Sequence, residues 1–374
     1  MNRHLYWIWL RMALQGNIKL MYALYSEFKD VEVIFRAERG EYVKWGIPAN
    51  YIPTLEDKDL TAAYNILGQC DKFGIGVLSI EDEAYPQSLL EIALPPCLLF
   101  YQGDFLTCLK TPMITVVGTR YSTATGEAIA MDFGGELAIA GFTVVCGVAK
   151  GIEAAIHKAV VRADGRCVLL LPCGILSVAQ RVRYLIKDVV AHGAAVSEWL
   201  PYEKTPYDAY RIRNRLLSAL TPGTLVLQSP QKSGSQITAN YALSQGKDVF
   251  TIPGGLRDPS FTGNNRLLCD GATPVLEAMD IVNYYKPQYK DMLFDIVVED
   301  DNFEKFVQSV SQQREFKNEE QQIVYAAIRE EGSTPDEIVE ETGLLAHIVL
   351  LQLTLMEING WINQIPGGKF KINT

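Results

Sequence analysis

The sequence predicts an α/β protein with a doubly wound parallel sheet in the middle, a mostly helical region before it and a small winged helix after it. Three observations carry this. From residue 113 onward, short β-rich runs alternate with helical segments, as parallel strands joined by covering helices require. Glycines and polar residues follow the carboxyl ends of those runs, where an open sheet of this kind holds its ligands. Near the end of the chain, Thr334-Pro335-Asp336-Glu337 reads as a capping box with proline in the first turn, followed by a second helical stretch and a hairpin.

At 374 residues the chain exceeds one ordinary core, and its 48% hydrophobic and 21% charged residues exclude a disordered or fibrous class. The apolar stretch Leu5 to Leu10, bracketed by Arg3 and Arg11, is shorter than a secretory core or a membrane span. A soluble cytoplasmic protein is expected. Seven cysteines without a Cys-x-x-Cys pair point to reduced thiols, and four widely separated histidines offer no metal-ligand spacing. Neither a metal nor a cofactor is expected. The net charge of −10 opposes nucleic-acid binding only as an average. Residues 111–285 hold 16 Lys/Arg against 14 Asp/Glu, so any anion site lies there; the remainder holds 18 against 30.

Residues 1–105 read as a helical accessory domain with a connector, Thr54 being the expected N-cap of a helix that carries Leu60, Tyr64 and Leu67. A short apolar run, Gly76 to Ile80, and the prolines of Tyr85-Pro86 and Pro95-Pro96 close it. The sheet domain spans 106–285. Its expected strands are Met113 to Val117, Phe142 to Cys146, Cys167 to Leu171, Ala194 to Ser197, Thr224 to Gln228 and Val249 to Ile252, with helices over 125–140, 152–163, 181–191 and 236–245. Residues 286–318, with Glu299-Asp300-Asp301, form an acidic linker. In the winged helix, 319–374, Gly343 separates the helix after Thr334 from one bearing Ile348, Leu351, Leu355 and Ile358. Trp361-Ile362 and Phe370 to Ile372 then flank Pro366-Gly367-Gly368 as a hairpin.

The chemistry lies in four places. Gly118-Thr119-Arg120 ends the first strand, and a guanidinium after a glycine turn suits a phosphate held bidentately, unless it pairs with Glu127 or Asp132 on the surface. Lys232-Ser233-Gly234-Ser235 opens a helix directly after a strand, so unpaired N–H groups, hydroxyls and an ammonium face one spot. The spacing is neither that of a P-loop nor that of a dinucleotide fingerprint. Arg211, Arg213 and Arg215 stand close to Tyr207 and Tyr210, and no acidic residue occurs between 209 and 247. Basic groups interleaved with rings suit a single strand; the alternative is a solvated helical face. Lys150 adds positive charge after the second strand, and His157 is expected to pack on a helix face.

In this order the pieces resemble the DprA (Smf) family of DNA-processing proteins. Gly118-Thr119-Arg120 is similar to its Gly-Ser-Arg, and Gly147 to Ile152 with His157 is similar to its Ser-Gly-x-Ala-x-Gly-Ile-Asp…His stretch. Arg213-Asn214-Arg215, Ser233-Gly234-Ser235 with Thr238-Ala239, Val249 to Gly254, and Gly263 with Asn265 to Leu268 follow in family order. Cys146 and Glu153 replace the family's Ser and Asp; its Tyr-Pro-x-x-Asn is missing around Ser177 to Val182, with Arg181 and Arg183 as possible substitutes. The resemblance implies a Rossmann-like sheet, an amino-terminal SAM-like or helix-hairpin-helix domain, and a non-catalytic homodimer that binds single-stranded DNA and loads RecA recombinase in natural transformation. It implies DNA contacts at Gly118, Arg120, Arg213, Arg215, Lys232, Ser233, Gly234 and Ser235; Thr119, Lys150 and Arg211 are added from position and charge.

Two other functions are weighed. A phosphoribohydrolase on the same fold needs a catalytic acid in a Pro-Gly-Gly-x-Gly-Thr-x-x-Glu run, which Pro253-Gly254-Gly255 starts and Leu256-Arg257-Asp258 does not continue. A transcription regulator needs cations on the second helix of the winged domain, where residues 346–359 hold neither Arg nor Lys.

Overall fold

The computed structural model describes residues 2–295, 319–329, 331–358, 361–365 and 368–372. Most of the acidic linker and the Pro366-Gly367 turn lie outside the described residues. The chain divides into two compact units, Met1–Val297 and Val298–Thr374.

Six helices open the first unit: α1 (Arg3–Ala13), α2 (Ile18–Phe28), α3 (Val31–Arg36), α4 (Arg39–Lys44), α5 (Ile52–Glu56) and α6 (Thr61–Lys72). Asn2 caps α1 by accepting from the His4 N–H, and Leu5, Trp7, Ile8 and Leu10 are buried at its centre. Thr54 is not a cap. It sits inside α5 and donates its hydroxyl to the Ala13 and Tyr51 carbonyls, while α6 begins where the Asp59 carboxylate accepts from the N–H of Thr61 at 2.8 Å.

The chain then alternates β1 (Ile75–Ser79), α7 (Gln87–Leu90), β2 (Leu98–Gly103), α8 (Phe105–Cys108), β3 (Met113–Val117), α9 (Ala124–Ile139), β4 (Thr143–Cys146), α10 (Ile152–Arg162), β5 (Cys167–Leu170), α11 (Gln180–Val190) and β6 (Ala194–Ser197). It continues with α12 (Ala209–Ala219), β7 (Gly223–Val226), α13 (Gly234–Ser244), β8 (Asp248–Thr251), α14 (Thr262–Cys269), β9 (Thr273–Pro274) and α15 (Ala278–Tyr285). The sheet order is β1-β2-β6-β5-β4-β3-β7-β8-β9, parallel from β6 to β9, with β2 antiparallel to both β6 and β1. Every residue of β3 to β7 is buried, as strands covered on both faces must be. The fold class read from the sequence is thus the observed one. Its β runs from 113 to 252 fall on β3 to β8, whereas β2, hidden behind the Pro95-Pro96 punctuation, extends the main sheet. One continuous apolar core joins the amino-terminal helices to the sheet.

The second unit contains α16 (Glu319–Ala326), α17 (Pro335–Thr342), α18 (Ala346–Ile358) and the hairpin β10 (Ile362–Ile365) and β11 (Lys369–Ile372). Thr334 and Glu337 form the expected capping box, and Gly343 ends α17 at φ 68°, the left-handed cap that glycine favours. Val324, Ile338, Val349, Leu353, Met356 and Ile362 close a separate small core. This is a winged helix. No single described helix is long and apolar enough to cross a membrane.

Candidate nucleic-acid interface

β3 is followed in the sheet by β4 on one side and by β7 on the other, so the connections leaving β3 and β7 run in opposite directions and open a crevice between them. A cleft of about 460 Å³ occupies this switch point. Its walls are the loop after β3, the loop from β7 into α13 and the first turns of α12.

Backbone and side-chain bonds lock the loops together. The Thr119 N–H donates to the Gln228 carbonyl at 2.8 Å. The Gln228 side chain accepts from the Thr123 N–H at 2.8 Å and donates to Ser260 Oγ, also at 2.8 Å. Gly151 has φ 72°, and a Cβ there would come within 2.5 Å of the Thr119 carbonyl oxygen; glycine lets the two loops approach. At the start of α13, Ser233 Oγ faces the Ser235 N–H at 3.4 Å, and the hydroxyls of Ser229, Ser235 and Ser233 form a chain at 2.8 and 2.7 Å. The N–H groups of this eleven-residue helix give an anion a ready cradle.

Gly118, Thr119, Arg120, Arg211, Arg213, Lys232, Ser233, Gly234 and Ser235 all line the cleft. Arg120, Arg211 and Lys232 are exposed and form no ion pair among the described residues. Glu127 instead accepts from Ser122 Oγ, which leaves Arg120 stacked over the Tyr210 ring at 4.6 Å. Tyr207 is fully exposed and Tyr121 nearly so, both on the rim.

Arg213 forms the back wall. Its guanidinium donates to the Leu170 carbonyl, and a Cβ on Gly147 would come within 2.4 Å of it, so glycine gives it room. Burial lowers its pKa, and the charge of Glu153 works the other way. Glu153 is itself 7% exposed, lines the cleft and accepts from the Ala149 N–H at 2.9 Å.

Two expected contacts, Arg215 and Lys150, and the substitute candidate Arg183 fall elsewhere. Arg215 turns into the interior, where its guanidinium holds both oxygens of Glu198 at 2.9 and 2.6 Å and donates to the Leu94 carbonyl at 3.0 Å. It is a buried ion pair because α12 plunges into the core after its first turn. Lys150 is exposed but outside the cleft lining, and Arg183 borders a different hollow beside Phe73 and Tyr202. His157 is buried as expected on α10, with burial lowering its pKa to about 4, and its Nε2 meets Cys146 Sγ at 2.9 Å. It is no acid or base for the cleft.

Residues 76–286 match the DNA recombination-mediator protein A family, and residues 311–368 match the DprA winged helix domain. The chain belongs to the DNA recombination-mediator protein A family. It is 36% identical over 209 residues to the DNA processing protein DprA of Bacillus subtilis, covering 56% of this chain and 70% of that one. It is 30% identical over 299 residues to the protein Smf of Escherichia coli, covering 79% and 77%. Its structure is similar to DprA from Streptococcus pneumoniae, with TM-score 0.63 and 27% identity over 79% of this chain and 100% of that one. It is also similar to DprA from Helicobacter pylori, which has a unique single-stranded DNA binding mode, with TM-score 0.52 and 26% identity over 58% and 98%. The DprA family acts in DNA processing and recombination.

In this DprA-family chain, sequence reasoning missed Tyr121 on the rim and Glu153 as the counter-charge to Arg213. The first follows Arg120 directly and was legible as a ring beside a cation. The second required knowing that the first turn of α10 and the middle of α12 reach the same cleft, whose lining holds both Glu153 and Arg213.

Proposed function

We propose that the cleft binds single-stranded DNA without base specificity and performs no catalysis. The supporting observation is the set of cations without ion-pair partners among the described residues, Arg120, Arg211 and Lys232, gathered at a helix amino terminus beside exposed tyrosines at the switch point. Phosphates are held by the cations and the α13 N–H groups; bases stack on Tyr207, Tyr210 and Tyr121, whose faces accept any base. Glu153, the one buried carboxylate of the lining, is engaged by a backbone N–H and faces Arg213, which suits charge balance rather than proton transfer. Thr119, Arg213, Ser233, Gly234 and Ser235 complete the contact set; Lys150 contributes only long-range potential. The same reading, by family resemblance, makes the protein a cytoplasmic homodimer that loads RecA on the bound strand.

Fluorescence anisotropy with labelled oligo-dT tests the reading. Binding falls steeply with salt, and Arg120→Ala or Lys232→Ala each weakens it about tenfold or more and flattens the salt slope. Binding indifferent to both substitutions, or duplex DNA outcompeting the single strand, overturns it. Sedimentation of the purified chain, and RecA filament assembly on the bound oligonucleotide, test the dimer and the loading step.

A further inference from the structure

Behind the cleft wall, three ligand-bearing side chains converge with no role in DNA contact. Cys146 ends β4, Cys167 begins β5, and His157 lies in the second turn of α10. Val144 pairs with Cys167 and Cys146 with Leu169, so the cysteines are diagonal neighbours pointing to the same face of the sheet. Cys146 Sγ lies 3.7 Å from Cys167 Sγ and 2.9 Å from His157 Nε2, and the three donor atoms are all within 4.8 Å of one another. None of the three residues is more than 1% exposed.

We propose that Cys146, His157 and Cys167 form a buried site for a thiophilic d10 cation, Cu(I) before Zn(II). An ion about 2.3 Å from each sulfur holds two thiolates about 4.0 Å apart at the roughly 120° of a three-coordinate site, within a few tenths of an ångström of the 3.7 Å observed. The Nε2 to Sγ distance is that of a hydrogen bond and opens by about 0.6 Å around an ion. Soft thiolates with one imidazole select copper or zinc over the hard cations. Among the described residues the cluster supplies three donors, a closed set that satisfies Cu(I), whereas zinc calls for a fourth. A Cys146–Cys167 disulfide is the competing use of the pair. Diagonal neighbours on adjacent strands stand about 7–8 Å apart, beyond the usual reach of that bond.

Binding releases both thiol protons to solvent and leaves two thiolates and an imidazole on the ion. The site adjoins Arg213, whose charge acts on Cys146, so the ion ties the carboxyl end of β4 to the amino end of β5 and to α10 behind the cleft wall. Because the cluster is sealed, the ion enters as the chain folds.

The test is anaerobic refolding of the full chain with Cu(I) or with Zn(II), followed by chelator, gel filtration and metal analysis. The expected result is one retained Cu(I) per chain in the wild type and in Cys269→Ser, and loss of it in Cys146→Ser and Cys167→Ser, with circular dichroism showing that both variants fold. X-ray absorption then shows a sulfur and nitrogen shell. Retention in the cysteine variants, no retention in the wild type, or a Cys146–Cys167 disulfide in anaerobically prepared protein overturns the site; zinc held in place of copper overturns the choice of ion. Metal content is read without DNA, so the result stands apart from the single-strand reading.

Discussion

The first turn of α12 and its body carry the same residue type to opposite ends. Arg211 sits on the rim of the cleft with no ion-pair partner among the described residues, whereas Arg215, one turn further on the same face, is sealed against Glu198. Between them, Arg213 is buried yet borders the cleft, its charge facing Glu153. Charge density along a sequence therefore identifies a basic helix but not which cation meets a ligand. What separates the two is desolvation. A buried guanidinium needs fixed partners and is spent on them, while a rim guanidinium keeps water as its partner until a phosphate replaces it.

Glu198→Gln should separate the regions most strongly. It leaves Arg215 charged and unpaired in the interior, and the expected loss is about 3–5 kcal/mol of stability, read as a lower urea midpoint. Oligo-dT affinity of the folded fraction should not change; a midpoint like the wild type would mean that water or another group replaces Glu198.

Acid probes the wall from behind. The neutral form of His157 is favoured in the fold, with pKa about 4 against an ordinary 6.5, so the unfolded chain takes up this proton first as pH falls. The contribution is complete above about pH 6.5 and is lost progressively down to about pH 4, amounting to about 3 kcal/mol. Urea titrations of metal-free protein at several pH values should show this slope, and His157→Gln should flatten it.

On the rim the signs reverse. Arg211→Ala should weaken oligo-dT binding about tenfold while shifting stability by less than about 0.5 kcal/mol. A stability loss like that of Glu198→Gln would erase the distinction between rim and wall.

The smallest effect belongs to the second unit. The exposed residues of α18 include Leu350 and Leu351 and no Arg or Lys, so a chain ending at residue 297 should keep oligo-dT affinity within about twofold. A larger fall would give the winged helix a share in the strand.

By itself the sequence determined the alternating strands and helices from 113 to 252, the capping box at Thr334 and the loops at Gly118 and Lys232 that line the cleft. Each of these is a local signal: a hydrophobic period, a cap or a turn residue lies within a few residues of what it dictates. Thr54 misled because a threonine can cap a helix or bond carbonyls from inside one, and the choice lay with Ala13 across the fold. The tertiary structure decided which arginine lies exposed on the cleft rim, which carboxylate balances Arg213, and that Cys146, His157 and Cys167 meet. Those outcomes depend on strand register and on where a helix enters the core, and both are set by contacts between residues far apart in the chain.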